Sequence, residues 1–129
     1  MSQNNKEIAQ MLKLAFNGME ASKAVETYLI DKLERHLVHV DLITEIRAVL
    51  HQNVAHRGKD KDFRIALTLY VPKKVLRIEE EGDDMYAMID IATEKLARIL
   101  NKYHDKLRTR SKQRFHKRIL GKLPFVNFD

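Results

Sequence analysis

The hydrophobic positions of residues 84–108 follow a single helical period from one end to the other. Apolar residues recur every three or four positions, which puts them on one stripe of an α-helix. A second ladder with the same spacing lies beside the stripe and is cationic. The stripe consists of Met85, Ile89, Ala92, Leu96, Leu100, Tyr103 and Leu107, and the cationic ladder of Lys95, Arg98, Lys102 and Lys106. The sequence therefore predicts one long helix with a core face and a cationic face.

The first part of the chain predicts a strand followed by a shorter helix. Residues with strand periodicity begin at Met11, and Asn17-Gly18 ends the strand. Ser22 is suited to cap a helix that is expected to end near His39. One face of the strand carries Leu12, Leu14 and Phe16, and the apolar face of the helix carries Val25, Leu29 and Leu33.

Three further strands are predicted between the two helices. The period of two returns at Ile46, is clearest over Phe63–Val71, and ends in a short strand around Leu76 and Ile78. A polar loop at 53–62 and the turn at Pro72 separate these strands. The acidic residues from 79 to 84 are expected to lead into the long helix, with Asp83 or Asp84 as its cap.

The order βαβββα predicts an α+β fold. The last three strands should form an antiparallel meander, because they follow one another along the chain. Each strand has one apolar face, so two amphipathic helices can cover that side of a four-stranded sheet and leave the other side in water. The expected architecture is a two-layer sandwich with both helices on one face.

Length and composition indicate one domain with tails. The chain has 129 residues, 44% of them hydrophobic and 33% charged, which suits a globular domain. We expect a flexible extension at 1–10, a folded domain at 11–108 and a basic tail at 109–129. The N-terminus lacks the apolar segment of a secretory signal and cysteine is absent, so the expected location is the cytoplasm.

The net charge of +6 is concentrated near the C-terminus. Residues 1–101 contain 15 Lys and Arg and 16 Asp and Glu, whereas residues 102–122 contain nine and one. A local basic patch indicates a polyanion as a partner, or else a solvated tail.

The sequence contains no arrangement typical of catalysis. It has only four glycines, with no phosphate-binding loop, and no nucleophile is paired with a base. His36 and His39 have a spacing that two metal ligands can use, but no third ligand is indicated. The acidic group at 79–84 is better suited to capping a helix than to holding a cation. We therefore expect a protein that is not an enzyme and has no cofactor or metal.

Two surfaces are candidates for RNA binding. The first is the cationic ladder, extended by Arg108 and joined by Lys32 and Arg35 if the first helix packs alongside. The second is the open face of the sheet, where one aromatic residue offers little stacking; its residues are Arg47, Arg64, Arg77 and Tyr70.

The tail from Thr109 has two interpretations. Phe115, Ile119 and Leu123 have helical spacing among basic residues, so the segment either folds on RNA, a protein partner or an anionic membrane, or is disordered. Additional RNA contacts are expected at Arg110, Lys112 and Arg114. The alternative function is a regulatory module that docks a protein through this tail.

The long helix also carries a recognisable motif. It reads Asp84-Met85-Tyr86-Ala87-Met88-Ile89-Asp90, then Lys95-Leu96-Ala97-Arg98, Lys102 and Asp105-Lys106-Leu107. Together with Lys32-Leu33 and Arg35, Asp41 and Val49-Leu50, this closely resembles the short form of the ribosome hibernation promoting factor family. That family includes the ribosome-associated inhibitor A and was once labelled a sigma-54 modulation protein. The resemblance extends over about residues 11–108.

The resemblance implies a layout similar to double-stranded RNA-binding domains and a function without catalysis. Family members bind the small ribosomal subunit where mRNA and tRNA would lie, and silence translation in stationary phase or stress. The resemblance implies that the rRNA-binding residues are Lys32, Arg35, Lys95, Arg98, Lys102, Lys106 and Arg108. Expected partners are the small subunit and ribosomes, with no membrane and no small-molecule substrate, and the free protein is expected to be a monomer.

Four features depart from the family pattern. Glu26 stands where relatives commonly have Arg, and His104 where Lys is common. The loop at 53–62 is several residues longer than in short relatives, and its His56, Arg57, Lys59 and Lys61 either add RNA contacts or belong to a solvated loop. The tail is neither the dimerisation domain of the long form nor the acidic tail of the inhibitor branch.

Overall fold

A computed structural model describes residues 8–53 and 62–120, with side chains as far as residue 110. The elements are strand β1 (Leu12–Asn17), helix α1 (Lys23–His36), a 3₁₀ turn (Val40–Leu42), strands β2 (Glu45–Gln52), β3 (Phe63–Val71) and β4 (Lys74–Gly82), and helix α2 (Met85–Leu120). The predicted α+β fold with the order βαβββα is confirmed. Within the described ranges, no helix is long and apolar enough to cross a membrane.

The sheet is mixed and has the strand order β1-β2-β3-β4. β1 is parallel to β2, because α1 carries the chain back across the sheet between them. β2, β3 and β4 form the predicted antiparallel meander, with Ile46 opposite Leu69 and Leu69 opposite Leu76. These partners lie on the face that the helices cover. The strand register therefore places the apolar residues of neighbouring strands side by side.

The core lies between this face and the two helices. Its fully buried side chains come from every layer: Leu29 and Leu33 of α1, Ile46 and Leu50 of β2, Ile65, Leu67 and Leu69 of β3, and Ile89, Leu96 and Leu100 of α2. Ile8, which the sequence assigned to the flexible extension, is fully buried and lies in a helical turn at 8–11. An isoleucine so close to β1 can reach the core, and removing it from water is favourable. Residues 1–7 lie outside the described part of the chain.

Both helices begin at side-chain caps. The Ser22 hydroxyl accepts a hydrogen bond from the Val25 N–H (3.2 Å), as predicted. Asp84 caps α2, and its carboxylate accepts from the Tyr86 N–H (3.0 Å). α1 ends at His36 rather than near His39, because the Leu37 N–H closes the last turn on the Leu33 carbonyl (2.9 Å).

The last strand is longer than its apolar pattern indicates. Glu80 and Glu81 were expected only in the lead into the long helix, but both lie in β4, which pairs with β3 as far as Gly82 opposite Phe63. The extra residues carry charge on both faces and therefore lack the apolar alternation used to find strands. Backbone pairing with β3 determines their conformation instead.

Two glycines, Gly18 just after β1 and Gly82 at the end of β4, differ in the space available for an added side chain. Gly18 has a φ of +71°, and a Cβ there would lie 2.3 Å from the Gln52 carbonyl oxygen. A Cβ at Gly82 would lie 2.4 Å from the end of the Met88 side chain. Backbone in a strand cannot give way, whereas a methionine can change rotamer.

The variants Gly18→Ala and Gly82→Ala are therefore expected to differ sharply. Gly18→Ala should lower the free energy of unfolding by about 2–4 kcal/mol, the sum of the left-handed backbone cost and overpacking. Gly82→Ala should lower it by at most about 1 kcal/mol. Urea unfolding followed by circular dichroism measures both, and equal midpoints would contradict this account.

Candidate nucleic-acid interface

Helix α2 lies on the sheet with β3 and β4 beneath it and α1 at its side. Residues that face α1 and residues that face the β4 edge therefore lie on opposite flanks of one helix. Asp90 contacts α1 and Lys95 contacts β4, and these positions differ by about 140° around the helix axis. This arrangement decides which of the predicted cations can act together.

Asp90 joins the two helices. Its carboxylate accepts a hydrogen bond from the Tyr28 hydroxyl (2.7 Å) and pairs with the Lys32 ammonium (3.2 Å). The Tyr28 ring also meets the edge of Tyr86, with 4.9 Å between ring centroids. The hydrogen bond to the Asp90 carboxylate, helped by desolvation and by the negative charge of Asp90, raises the pKa of Tyr28 above its ordinary value.

The Lys32 side chain is accordingly paired and mostly buried. Its side chain is only 22% exposed, and its ammonium also lies 5.5 Å from the centre of the Tyr28 ring. Among the predicted rRNA-binding residues, it is the one with the clearest structural role, because it fixes α1 against α2.

Two more of the predicted cations have carboxylate partners. Lys95 pairs with Glu80 of β4 (2.7 Å), and Arg35 pairs with Asp31 one turn earlier on α1 (3.1 Å). Their side chains are 45% and 67% exposed. Exposed pairs of this kind contribute little stability, so these cations can exchange their partner for a phosphate at little cost.

The remaining predicted cations have no carboxylate partner among the described residues. All four are exposed on α2: Arg98, Lys102, Lys106 and Arg108. The pair between Glu94 and Arg98 that their spacing allows on a helix surface does not form in the described structure, since no carboxylate lies within 4.0 Å of the guanidinium. Free positive charge therefore increases along α2 towards its C-terminal end.

These four side chains do not form a single surface. At about 100° per residue, Arg98, Lys102 and Lys106 fall within about 80° of one another, on the flank that also carries Lys95. Arg108 falls at the same angle as Asp90, on the flank of α2 towards α1, the helix that carries Lys32 and Arg35. The fold thus divides the predicted set into the cationic ladder on one flank of α2 and a second group on the other.

The open face of the sheet is much closer to neutral. Each of its arginines lies beside a carboxylate: Arg47 binds Glu45, Arg77 binds Glu79, and Arg64 lies 3.7 Å from Glu81. These hydrogen bonds from arginine lower the pKa of Glu45 and of Glu79.

The one aromatic residue of this face is also engaged. The Tyr70 ring lies under the Arg47 guanidinium, which is 5.3 Å from the ring centre. The arginines and the ring of this face are therefore engaged, while Lys13 of β1, opposite Arg47, is an exposed cation with no carboxylate within 4.0 Å among the described residues. The interface is better supported on α2, where several such cations lie together.

A stacked pair of histidines was not anticipated from the sequence. The rings of His39 and His104 are nearly parallel, at 6°, with centroids 3.6 Å apart. The pair attaches the segment after α1 to α2. His104 stands out in the sequence only as a departure from the family's lysine, and His39 only as half of a metal motif.

The structure brings no third potential ligand to the metal motif within the described part of the chain. His39 stacks on His104 rather than facing His36, and no group of three potential ligands is found among the described residues. The loop residues His56, Arg57, Lys59 and Lys61 lie outside the described part of the chain.

The chain is thus a small α+β domain in which one long helix carries exposed cations that have no carboxylate partner among the described residues. The family model described as "Sigma 54 modulation protein / S30EA ribosomal protein" matches residues 12–108. The chain therefore belongs to this family.

Curated relatives agree with the family match. The chain is 32% identical over 98 residues to the ribosome hibernation promoting factor of Escherichia coli, of which it covers 96%. It is 33% identical over 94 residues to the ribosome hibernation promotion factor of Deinococcus radiodurans. These matches cover 75% and 73% of this chain. The chain spans about half the length of the Deinococcus protein (49%) and of a Picosynechococcus relative (47%).

Solved structures share the fold. A ribosomal subunit interface protein from Coxiella burnetii has a TM-score of 0.64 at 24% identity, covering 73% of this chain and 97% of that one. The N-terminal domain of Thermus thermophilus Protein Y has a TM-score of 0.56 at 26% identity, covering 71% and 97%.

The hydrogen bond between Tyr28 and Asp90 predicts a pH effect. Because the pKa of Tyr28 is raised on folding, its contribution to stability is complete below the pKa of about 10 in the unfolded chain and is lost as the pH rises through the folded value. In the Asp90→Asn variant, the Tyr28 titration should move to lower pH. Ultraviolet titration of wild type and of Tyr28→Phe identifies the ionisation of Tyr28, which is then followed in Asp90→Asn. If the Tyr28 titration did not move in Asp90→Asn, Asp90 would not be the cause of its raised pKa.

Proposed function

We propose that this protein is a ribosome hibernation factor. It binds the rRNA of the small ribosomal subunit in the channel used by mRNA and tRNA, and inhibits translation in stationary phase or under stress. One observation carries the proposal: Arg98, Lys102 and Lys106 are exposed on one flank of α2 with no carboxylate partner among the described residues. It is strengthened by the match to nearly the whole E. coli protein that is named ribosome hibernation promoting factor.

The proposed inhibition needs no catalysis. A rigid helix presents positive charges at fixed intervals, and rRNA phosphates release counterions when they bind these charges. Occupation of the channel is then enough to exclude mRNA and tRNA. The function requires no cofactor and places the protein in the cytoplasm with the ribosome.

The predicted residues divide into two roles under this proposal. The cationic ladder beyond Lys95 supplies the charge that is free before binding. Arg35 and Lys95 join it by exchanging a surface carboxylate for phosphate, which is inexpensive for exposed pairs. Lys32 acts mainly by positioning α1 through Asp90.

Replacing Arg98, Lys102 and Lys106 together by Gln should weaken binding to small subunits. If about six phosphates are engaged, the wild-type slope of log affinity against log salt is roughly −4 to −5, and losing three contacts should make it shallower by roughly 2 to 3. Cosedimentation with purified small subunits across a potassium chloride series measures both slopes. The fold should be retained, because none of the three side chains lies in the core.

The matched control removes the same charge from the other surface. In this variant Arg47, Arg64 and Arg77 are replaced by Gln, and it should keep the wild-type slope. A larger loss in the control would assign binding to the sheet. No association of the wild type with ribosomes at low salt would refute the proposed function itself.

A further inference from the structure

Helix α2 extends well past the domain that it helps to build. The Tyr103 hydroxyl donates to the Pro72 carbonyl at the β3–β4 turn, and Leu107 is the last partly buried position of the helix whose side chain is described. The helix continues to Leu120, about 25 Å beyond Tyr103 at 1.5 Å per residue. The sequence placed a boundary at 108/109, but the backbone helix crosses it without interruption. We call residues 109–120 the helical extension.

The helical extension lies outside what the family shares. The family model stops at residue 108, and the E. coli relative is covered to 96% of its length by a match of 98 residues. The extension is therefore additional to the domain that carries the family resemblance, and it requires its own explanation.

Its sequence contains no acidic residue, and most of its basic positions share one side of the helix. Measured from Arg108, positions 110, 112, 114, 117 and 118 fall at roughly 200°, 40°, 240°, 180° and 280°. These positions are Arg110, Lys112, Arg114, Lys117 and Arg118. Four of the five therefore fall within about 100° of one another, and Arg110, Arg114 and Arg118 continue the four-residue spacing of the cationic ladder.

We propose that the helical extension is a second RNA-binding element, which continues the cationic ladder along rRNA phosphates. The inference rests on the proposed function, because it takes the ribosome as the partner. The extension adds contacts beyond those of the domain that the family model matches. Backbone continuity supports it: the Thr109 hydroxyl donates to the Asp105 carbonyl (3.0 Å) within an unbroken helix, so the extension is in fixed register with the cationic ladder.

An anionic membrane fits the extension less well. Helices that lie on membranes separate a continuous apolar face from a cationic face. In the extension, Lys112 falls beside Phe115 and Ile119, and Leu120 falls about 100° from Ile119, so the apolar positions do not form a continuous face. Counterion release from RNA phosphates requires no such separation.

Rigidity gives the proposal a distinctive consequence. When two binding elements lie on one rigid helix, binding of the first already orients the second. The second set of contacts then adds affinity without a further loss of conformational entropy. A flexible tail of the same charge would gain less. Charge and helix continuity must therefore both matter.

The charge is tested in the full-length chain with Arg110, Lys112, Arg114 and Lys117 all changed to Gln. Cosedimentation with small subunits should show a shallower salt slope than that of wild type and an affinity at least about tenfold lower at 0.1 M salt. The matched control changes Lys13, Arg47, Arg64 and Arg77 to Gln and should retain the wild-type slope. An unchanged slope in the extension variant would overturn the proposal.

Continuity is tested by Thr109→Pro, which keeps every charge but breaks the helix at the domain boundary. Its affinity should fall at least fivefold relative to Thr109→Ala, while the thermal unfolding midpoint of the domain stays within a few degrees. Equal affinity of the two variants would overturn the rigid-helix proposal.

A vesicle assay separates RNA from membrane. Vesicles containing anionic phospholipid are mixed with wild type and with the extension variant. If that variant lost vesicle binding but kept subunit binding, the membrane would be the partner and the inference would be wrong.

The subunit assay also separates this inference from the proposed function. If wild type binds subunits but the extension variants behave like wild type, only this inference fails. If wild type does not bind subunits at all, the proposed function fails.

Discussion

The structure depends on one constraint: the sheet has a single apolar face, and both helices must cover it. Three strands contribute buried residues in register, and the stripe of α2 and the face of α1 complete the core. Removing these side chains from water is the dominant favourable term in folding. Once both helices lie on one face they must also contact each other, and this contact is where Asp90 becomes important.

The contacts of Asp90 show that the motif by which α2 resembles the family has a structural role. In the segment from Asp84 to Asp90, the first residue caps the helix, Tyr86 meets Tyr28, and Asp90 binds both Tyr28 and Lys32. These contacts hold α1 against α2 and so orient the surface of α2. The motif therefore determines how the long helix is presented, whereas the cationic ladder that follows it provides the charge.

The placement of carboxylates creates a gradient of free charge. Asp31, Glu80 and Asp90 neutralise cations on the parts of the helices that lie over the sheet, and glutamates neutralise the arginines of the open face. Beyond Arg98 this compensation stops, apart from Asp105. Positive and negative charges therefore nearly balance in the body of the domain. The C-terminal part of α2 keeps an excess of positive charge, which can attract a polyanion.

The order of elements, the apolar faces and the cationic ladder could be predicted from the sequence, because periods of 2.0 and 3.6 residues and the spacing of charges are local properties. The sequence also carried the family resemblance. Only the folded structure shows that Lys32 pairs with Asp90, that Glu80 and Glu81 belong to β4, and that His39 stacks on His104. Each of these depends on a partner far away in the chain, 58 residues for Lys32 and Asp90, and no local period encodes which distant side chains will meet. Tertiary packing therefore selects which of the predicted cations are free.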